Sequence, residues 1–171
     1  MPLIANGGMI SLNTGNTMDA IMLTKYIKYV DGVKLDVYKT IDDYFVLSNN
    51  DDLSIDTFNK RVISNSFYEE IRNTKFPSHI FKYYIPTIED ILKNYVSDKK
   101  IFLELHFNDK LEELYNILRK YPYEYYIVNK DYLFCDNPKM ISINELQNKY
   151  IITKYPEKFY KYFLDSTNND S

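Results

Sequence analysis

The sequence predicts an α/β fold in which strands and helices alternate around a parallel sheet. Short apolar runs bounded by turn residues alternate along the chain with longer stretches of helical period, an order typical of βα units. The chain has 171 residues, of which 45% are hydrophobic and 26% charged, as in an ordinary globular protein. We therefore expect one domain over residues 1–165, followed by a disordered polar tail over residues 166–171.

Composition excludes several classes of function. The net charge of -3 provides no basic field, so we expect no nucleic-acid partner. Cys135 is the only cysteine, which excludes an internal disulfide and every zinc site built from several cysteines. No run approaches the roughly 18 apolar residues of a spanning helix, and the first residues do not resemble a signal peptide. We therefore expect a cytoplasmic protein that does not insert into a membrane.

The first βα unit follows from the N-terminal pattern. Residues 3–5 read as a short strand ending in an Asn-Gly-Gly turn, and residues 16–30 carry apolar side chains at helical spacing. Asn16 and Thr17 are both suitable N-caps for that helix.

Two strands and a helix are predicted next. Apolar and polar residues alternate over 33–37, and a turn then leads to a second apolar run at 44–47, which indicates a hairpin-like link. No structure is predicted for residues 51–84. A helix then begins after Thr87, because Asp90 lies three residues on in the reciprocal capping position.

The remaining chain repeats the alternation, and its units shrink beyond residue 130. Apolar runs bounded by turn residues and stretches of helical period predict strands at 101–106, 123–128, 132–135 and 150–152, and helices at 87–96, 109–120, 142–148 and 156–164.

In this order, the local sequences resemble those of the glycerophosphodiester phosphodiesterase family. That family opens with His-Arg-Gly, then Glu-Asn-Thr, then Glu-Leu-Asp-Val on its second strand, and its third strand ends in His-Asp. The corresponding segments here are Asn6-Gly7-Gly8, Gly15-Asn16-Thr17, Lys34-Leu35-Asp36-Val37 and Asn49-Asn50. Three later segments, IPTIEDIL at 85–92, FLELH at 102–106 and YIITKYP at 150–156, are similar to the family's Ile-Pro-Thr-Leu-Glu-Glu, Glu-Ile-Lys and closing Ile-Ile-Thr-Asp-Tyr-Pro motifs.

The resemblance implies a TIM-type (β/α) barrel that cleaves deacylated phospholipid diesters with a divalent metal. Such barrels usually have about 200 to 250 residues or more. A chain of 171 residues is therefore expected to be a shortened and incomplete barrel. About one or two units are expected to be missing between the fifth and the last strand.

The positions that the resemblance assigns to catalysis have changed. Both family histidines are replaced, by Asn6 and Asn49, and the phosphate-binding arginine by Gly7. An amide cannot exchange a proton near neutral pH, so it cannot serve as general acid or base. The glutamate of the first helix has become Gly15. This pattern predicts a catalytically inactive protein with a binding, structural or interaction role.

The metal-ligand positions implied by the resemblance are only partly retained. Asp36 and Glu104 remain, whereas a glutamate of the second strand has become Lys34. Period two puts Lys34 and Asp36 on one face of their strand, so we expect Lys34 to pair with Asp36 or Glu104 and to exclude a divalent cation. No cofactor is therefore expected.

Other residues are predicted to line the barrel mouth, and one alternative function remains open. The expected lining residues are Asn50, His106 and Lys154. The alternative is a divergent hydrolase of glycerophosphodiesters that binds Mg²⁺ or Ca²⁺ through Asp36 and Glu104, with His106 and with Asp51 or Asp52. The last two are otherwise ordinary turn residues.

The expected partners follow from the shortened barrel. A missing unit would leave an unpaired strand edge, which proteins tend to cover. We therefore expect a homodimer or another protein partner, and a small phosphodiester is a further candidate ligand.

Overall fold

Parallel strands form the centre of the molecule. A computed structural model describes residues 2–10, 14–76, 84–128, 133–134, 151–153 and 156. The strands are β1 (Leu3–Asn6), β2 (Gly32–Lys39), β3 (Phe45–Leu47), β4 (Lys100–Leu105), β5 (Tyr125–Ile127), β6 (Leu133–Phe134) and β7 (Ile151–Thr153). Their order is β5-β4-β2-β1-β7-β6, with parallel neighbours throughout, and β3 pairs with β2 in the antiparallel sense.

The sheet is an open, shortened version of a barrel. Among the described residues, β5 and β6 are the two ends of the strand order and do not pair with each other. The α/β fold and the incomplete barrel predicted from the sequence are therefore confirmed. The hairpin-like link between the second and third strands is also confirmed, since Val37 pairs with Leu47 and Lys39 with Phe45.

Four short α-helices pack against this sheet. They are α1 (Met18–Leu23), α2 (Tyr68–Ile71), α3 (Ile88–Asn94) and α4 (Leu111–Leu118), with 3-10 turns at Thr24–Tyr26 and Ile63–Asn65. None of the helices in the described ranges is long and apolar enough to cross a membrane. The capping box predicted for α3 is present, because the Thr87 hydroxyl accepts from Asp90 N at 3.1 Å and the Asp90 carboxylate accepts from Thr87 N.

The period of two in β2 and β4 separates two buried layers. Odd-numbered residues of both strands face α1, α3 and α4 and join a cluster that contains Val33, Leu35, Val37, Ile101, Leu103, Ile91 and Leu114. On the other face, Phe102 packs with Ile4 and with the partly buried Tyr126 and Val128. This second cluster fills the barrel interior beneath the polar residues that follow along the same strands.

The prediction of one helix over residues 16–30 is wrong in extent. The α-helix ends at Leu23 and tightens into a 3-10 turn, and Ile27 is extended. The Thr24 hydroxyl donates to the Ile21 carbonyl at 2.7 Å and lies 2.8 Å from the Tyr95 hydroxyl. These side-chain bonds compete with continuation of the helix. The N-cap is Thr17, whose hydroxyl accepts from Ala20 N.

Elsewhere the predicted elements are displaced by only a few residues at their ends. The unassigned stretch 51–84 contains the turn at Ile63–Asn65 and α2. The predicted helix at 142–148, the predicted helix at 156–164 beyond its first residue, the tail at 166–171, Cys135 and Lys154 lie outside the described residues.

A close approach between β1 and α1 depends on glycine. Gly8 has a φ of +92°, and a Cβ built on it would lie 2.4 Å from the carbonyl carbon and oxygen of Ala20. The same Ala20 oxygen accepts from Met9 N at 2.8 Å. Only glycine lets the chain pass so near the helix backbone, so this packing sets the position of the first helix over the sheet.

Candidate functional site

A polar cavity lies where β1, β2 and β3 end. Its volume is about 350 Å³, and it is lined by Asn6, Ile10, Gly15, Lys34, Asp36, Asn49, Asn50 and Asp56. The carboxyl ends of parallel strands are where barrel folds place their binding and catalytic groups. Asn6 and Asn49, which come from distant parts of the sequence, are brought to the same cavity.

Asp36 and Glu104 lie side by side on neighbouring parallel strands. They are register partners in the pairing of β2 with β4, so their side chains leave the sheet on the same face. Lys34 lies two residues before Asp36, is only 3% exposed, and contacts both carboxylates through its ammonium group. The predicted pairing of Lys34 inside the barrel is therefore confirmed.

Asp36 is held by three further contacts. Asn16 donates from Nδ2 to Asp36 Oδ2 at 2.9 Å, and its Oδ1 accepts from the Asp36 backbone N–H at 3.0 Å. His106 Nε2 lies 3.2 Å from Asp36 Oδ1. Burial of Asp36 raises its pKa, but hydrogen bonding to His106, the charge of Lys34 and the bond from Asn16 together outweigh it and lower the pKa.

Asn16, which the sequence predicts as a possible helix cap, connects several parts of the site. It has a left-handed backbone with φ of 58°, which asparagine tolerates better than most residues. In this conformation its Nδ2 also donates to Asn49 Oδ1 at 2.9 Å. Its backbone N–H donates to Gly7 O at 2.8 Å. The Asn-Thr pair in the first-helix motif was the available signal, but nothing local indicated a long-range contact.

Gly7 and Gly15 pack closely against Asn16 and Asn49. Gly7 has φ of 69°, and its N–H donates to Lys34 O at 2.8 Å, so it joins β1 to β2. A Cβ at Gly15 would lie 2.8 Å from Asn49 Oδ1. Where the resemblance places a glutamate side chain, Asn49 takes the space.

His106 lies at the rim, next to Asp36. Its ring stacks on Tyr38 with centroids 4.3 Å apart and an interplanar angle of 5°. Burial raises the pKa of the Tyr38 hydroxyl to about 12, with a smaller contribution from the charge of Asp36, so Tyr38 is neutral at physiological pH. The stack orients the His106 ring toward the carboxylate.

Asp51 and Asp52 do not join the carboxylates on β2 and β4. Asp51 accepts from the N–H and the hydroxyl of Ser64, and Asp52 accepts from the same two groups of Ser54. Their interpretation as turn residues is the one that these bonds support.

The residue of this loop that reaches the cavity is Asp56, which no sequence motif indicates. It is half-buried, and its Oδ2 accepts from Asn50 Nδ2 at 2.7 Å. Asn50 lines the cavity, as predicted.

Among the described residues, Asp36, Glu104 and His106 are the group that could hold a metal ion. Their ligand atoms lie within 4.8 Å of one another. However, the Lys34 ammonium contacts both carboxylates, and the Asp36 oxygens are also engaged by Asn16 and His106. A divalent cation would meet a positive charge at the point where its ligands converge. The site in this arrangement does not fit a metal ion.

Several solved structures have a fold similar to that of this chain. The chain is similar to a glycerophosphodiester phosphodiesterase from Parabacteroides distasonis, with 14% identity, a TM-score of 0.75, and coverage of 97% of this chain and 98% of that chain. It is also similar to an Oleispira antarctica phosphodiesterase solved in complex with the product sn-glycerol-3-phosphate, with 13% identity, a TM-score of 0.74, and coverage of 95% and 96%.

A third similar structure is a glycerophosphodiester phosphodiesterase from Agrobacterium tumefaciens, with 12% identity, a TM-score of 0.71, and coverage of 93% of this chain and 99% of that chain. No protein-family model matches the sequence, and no curated protein matches it. At these identities the comparison establishes a shared fold, and this fold is the one that the sequence motifs predicted.

Proposed function

We propose that this chain, whose fold is that of the glycerophosphodiester phosphodiesterases, is a catalytically inactive member of that family. In this proposal the mouth cavity is retained for binding, and the protein acts as a binding or interaction protein. One observation carries the proposal: the Lys34 ammonium pairs with both Asp36 and Glu104. An internal cation thereby neutralises the carboxylates that a divalent metal would otherwise require.

The groups around the cavity support the same conclusion. Asn6 and Asn49 line it where the resemblance places two histidines. General acid and base catalysis contributes about 10² to 10⁴ per group, and an amide supplies neither. Lys34 is the one positive side chain among the described lining residues, and its side chain is only 4% exposed. Its charge is already shared by two carboxylates and is not directed at a phosphate.

A glycerol phosphate release assay tests the proposal. The purified protein is incubated with a glycerophosphodiester and with Mg²⁺, Ca²⁺ or Mn²⁺ in turn, beside an active enzyme of the same fold. We expect release equal to the buffer control with every metal. The matched variant Glu104→Gln removes one carboxylate and should give the same background.

A second candidate function is a divergent metal-dependent phosphodiesterase. It is favoured by the convergence of Asp36, Glu104 and His106 within 4.8 Å. That function requires the Lys34 ammonium to leave the carboxylates when metal binds. Metal-dependent release of glycerol phosphate that Asp36→Ala and Glu104→Ala both abolish would establish this candidate and overturn the inactive assignment.

A further inference from the structure

We infer that the mouth cavity selects a small organic cation bearing hydroxyl groups, a protonated amino alcohol, over an anionic phosphate ester. This inference rests on the proposed binding role of the same cavity and names its ligand class. It follows from the charges and the open hydrogen-bonding groups of the wall.

The charge of the wall favours a cation. The described residues that line the cavity include one cationic side chain, Lys34, and two carboxylates, Asp36 and Asp56. Lys34 also neutralises Glu104 on the adjacent strand. The described part of the wall therefore has excess negative charge and no uncommitted cation for an anionic ligand, whereas a protonated amine would be attracted.

Asp56 is the expected anchor for the positive group. It is half-buried and lines the cavity, and no cationic partner for it exists among the described residues. Its Oδ2 accepts from Asn50, and no described residue donates to its Oδ1. A half-buried carboxylate with an open oxygen is a strong acceptor for a charged donor.

Three carboxamides supply positions for hydroxyl groups. Asn6 has no side-chain hydrogen bond to any described residue, although its side chain lines the cavity. With respect to the residues that the structure describes, the Asn49 side chain uses only its oxygen, which accepts from Asn16. The Asn50 side chain donates from Nδ2 to Asp56. Amides both donate and accept, as hydroxyl groups do. The volume of about 350 Å³ suits a ligand of a few heavy atoms.

A series of three probes that share one carbon frame tests this inference. The probes are 3-amino-1,2-propanediol, glycerol and glycerol 3-phosphate, which differ in charge and contain no diester bond. Binding is followed by NMR through the side-chain amide signals of Asn49 and Asn50, which localise it to the cavity. We expect the amine to bind about tenfold more tightly than glycerol, from one charge-assisted hydrogen bond, and glycerol 3-phosphate to bind most weakly.

Two variants test the role of Asp56. Asp56→Asn keeps the shape of the side chain and removes its charge, so the amine should lose its roughly tenfold advantage over glycerol. Asp52→Asn is the matched control from the same loop, since the Asp52 carboxylate accepts from Ser54 and is not among the described residues that line the cavity. It should leave all three affinities unchanged.

Three results of the probe series would contradict the inference. Tightest binding of glycerol 3-phosphate, equal binding of the three probes, or no shift of the Asn49 and Asn50 signals with any probe would each overturn the inference. The probe order in the unmodified protein decides this even if a variant does not fold. Hydrolysis of a glycerophosphodiester would instead overturn the proposed function, and the two failures are therefore separate.

Discussion

Asp36 and Glu104 are register partners on adjacent parallel strands, and the ammonium of one buried lysine contacts them both. Two carboxylates this close would repel each other without a cation. In this chain the cation is a covalent part of the same strand as Asp36. The arrangement links the stability of the barrel interior to the proposed exclusion of a metal ion, and it leads to the following predictions.

Removal of the Lys34 charge should destabilise the fold. Lys34→Met removes the ammonium shared by Asp36 and Glu104. We expect a loss of about 3 kcal/mol, the low end for a broken buried pair, because Glu104 is partly exposed and Asp36 keeps its contacts with Asn16 and His106. Urea unfolding measures this. The combined variant Lys34→Met, Asp36→Asn, Glu104→Gln should recover most of the loss. Equal stability of Lys34→Met and the unmodified protein would contradict the prediction.

Stability should fall in acid partly through Asp36. Its pKa in the folded state is lowered from an ordinary value of 3.8, so its contribution is present above about pH 3.8 and is lost as the pH falls through the lower folded value. Asn16→Ala removes one group that lowers this pKa. The melting temperature of this variant should therefore fall less below pH 4 than that of the unmodified protein.

A constant difference between the melting temperatures of the two proteins at every pH would show that Asn16 does not act on Asp36. The strain of alanine at a left-handed position lowers the melting temperature equally at all pH values. The change of that difference with pH is therefore the informative quantity.

Gly8 and Gly7 should differ sharply in their tolerance of a side chain. Gly8→Ala places a Cβ 2.4 Å from the Ala20 backbone, which requires α1 to move, and we expect a loss of about 3 kcal/mol or more. At Gly7 the nearest atom would lie at 3.2 Å, so Gly7→Ala should cost less. Chemical denaturation measures the free energy of unfolding of both variants. A greater loss for Gly7→Ala would contradict this account of β1 packing against α1.

Periodicity and capping signals predicted the part of the fold that depends on local pattern. The alternation of Val33, Leu35 and Val37 placed Lys34 and Asp36 inside the barrel, and Thr87 with Asp90 marked the start of α3. Both results follow because a strand has a period of two and a helix start needs an acceptor for its free N–H groups.

Contacts made by loops could not be predicted in the same way. The length of α1 depends on Thr24 meeting Tyr95, which lies 71 residues later. The contact of Asn16 with Asp36 needs a left-handed backbone, and the position of Asp56 is set by a loop without periodicity. These features arise from tertiary packing, for which the local sequence carries no signal.

The open edges of the sheet lead to a prediction about assembly. Since β5 and β6 end the strand order in the described part of the chain, we expect a second copy to cover the exposed edge in a two-fold homodimer. Light scattering over a concentration series should give twice the mass of 20.5 kDa. A mass of one chain at every concentration would contradict the prediction.

The most direct test of the account is metal-linked stability in Lys34→Glu. This change supplies a third carboxylate in place of the ammonium, so the variant should gain a weak site for Mg²⁺ or Ca²⁺. At a metal concentration about tenfold above the dissociation constant, its melting temperature should rise by roughly 3 to 6 °C. Lys28→Glu, on an exposed residue before β2 begins, is the charge-matched control. The account predicts no rise for the control or the unmodified protein; an equal rise in the unmodified protein would contradict the exclusion of metal by Lys34.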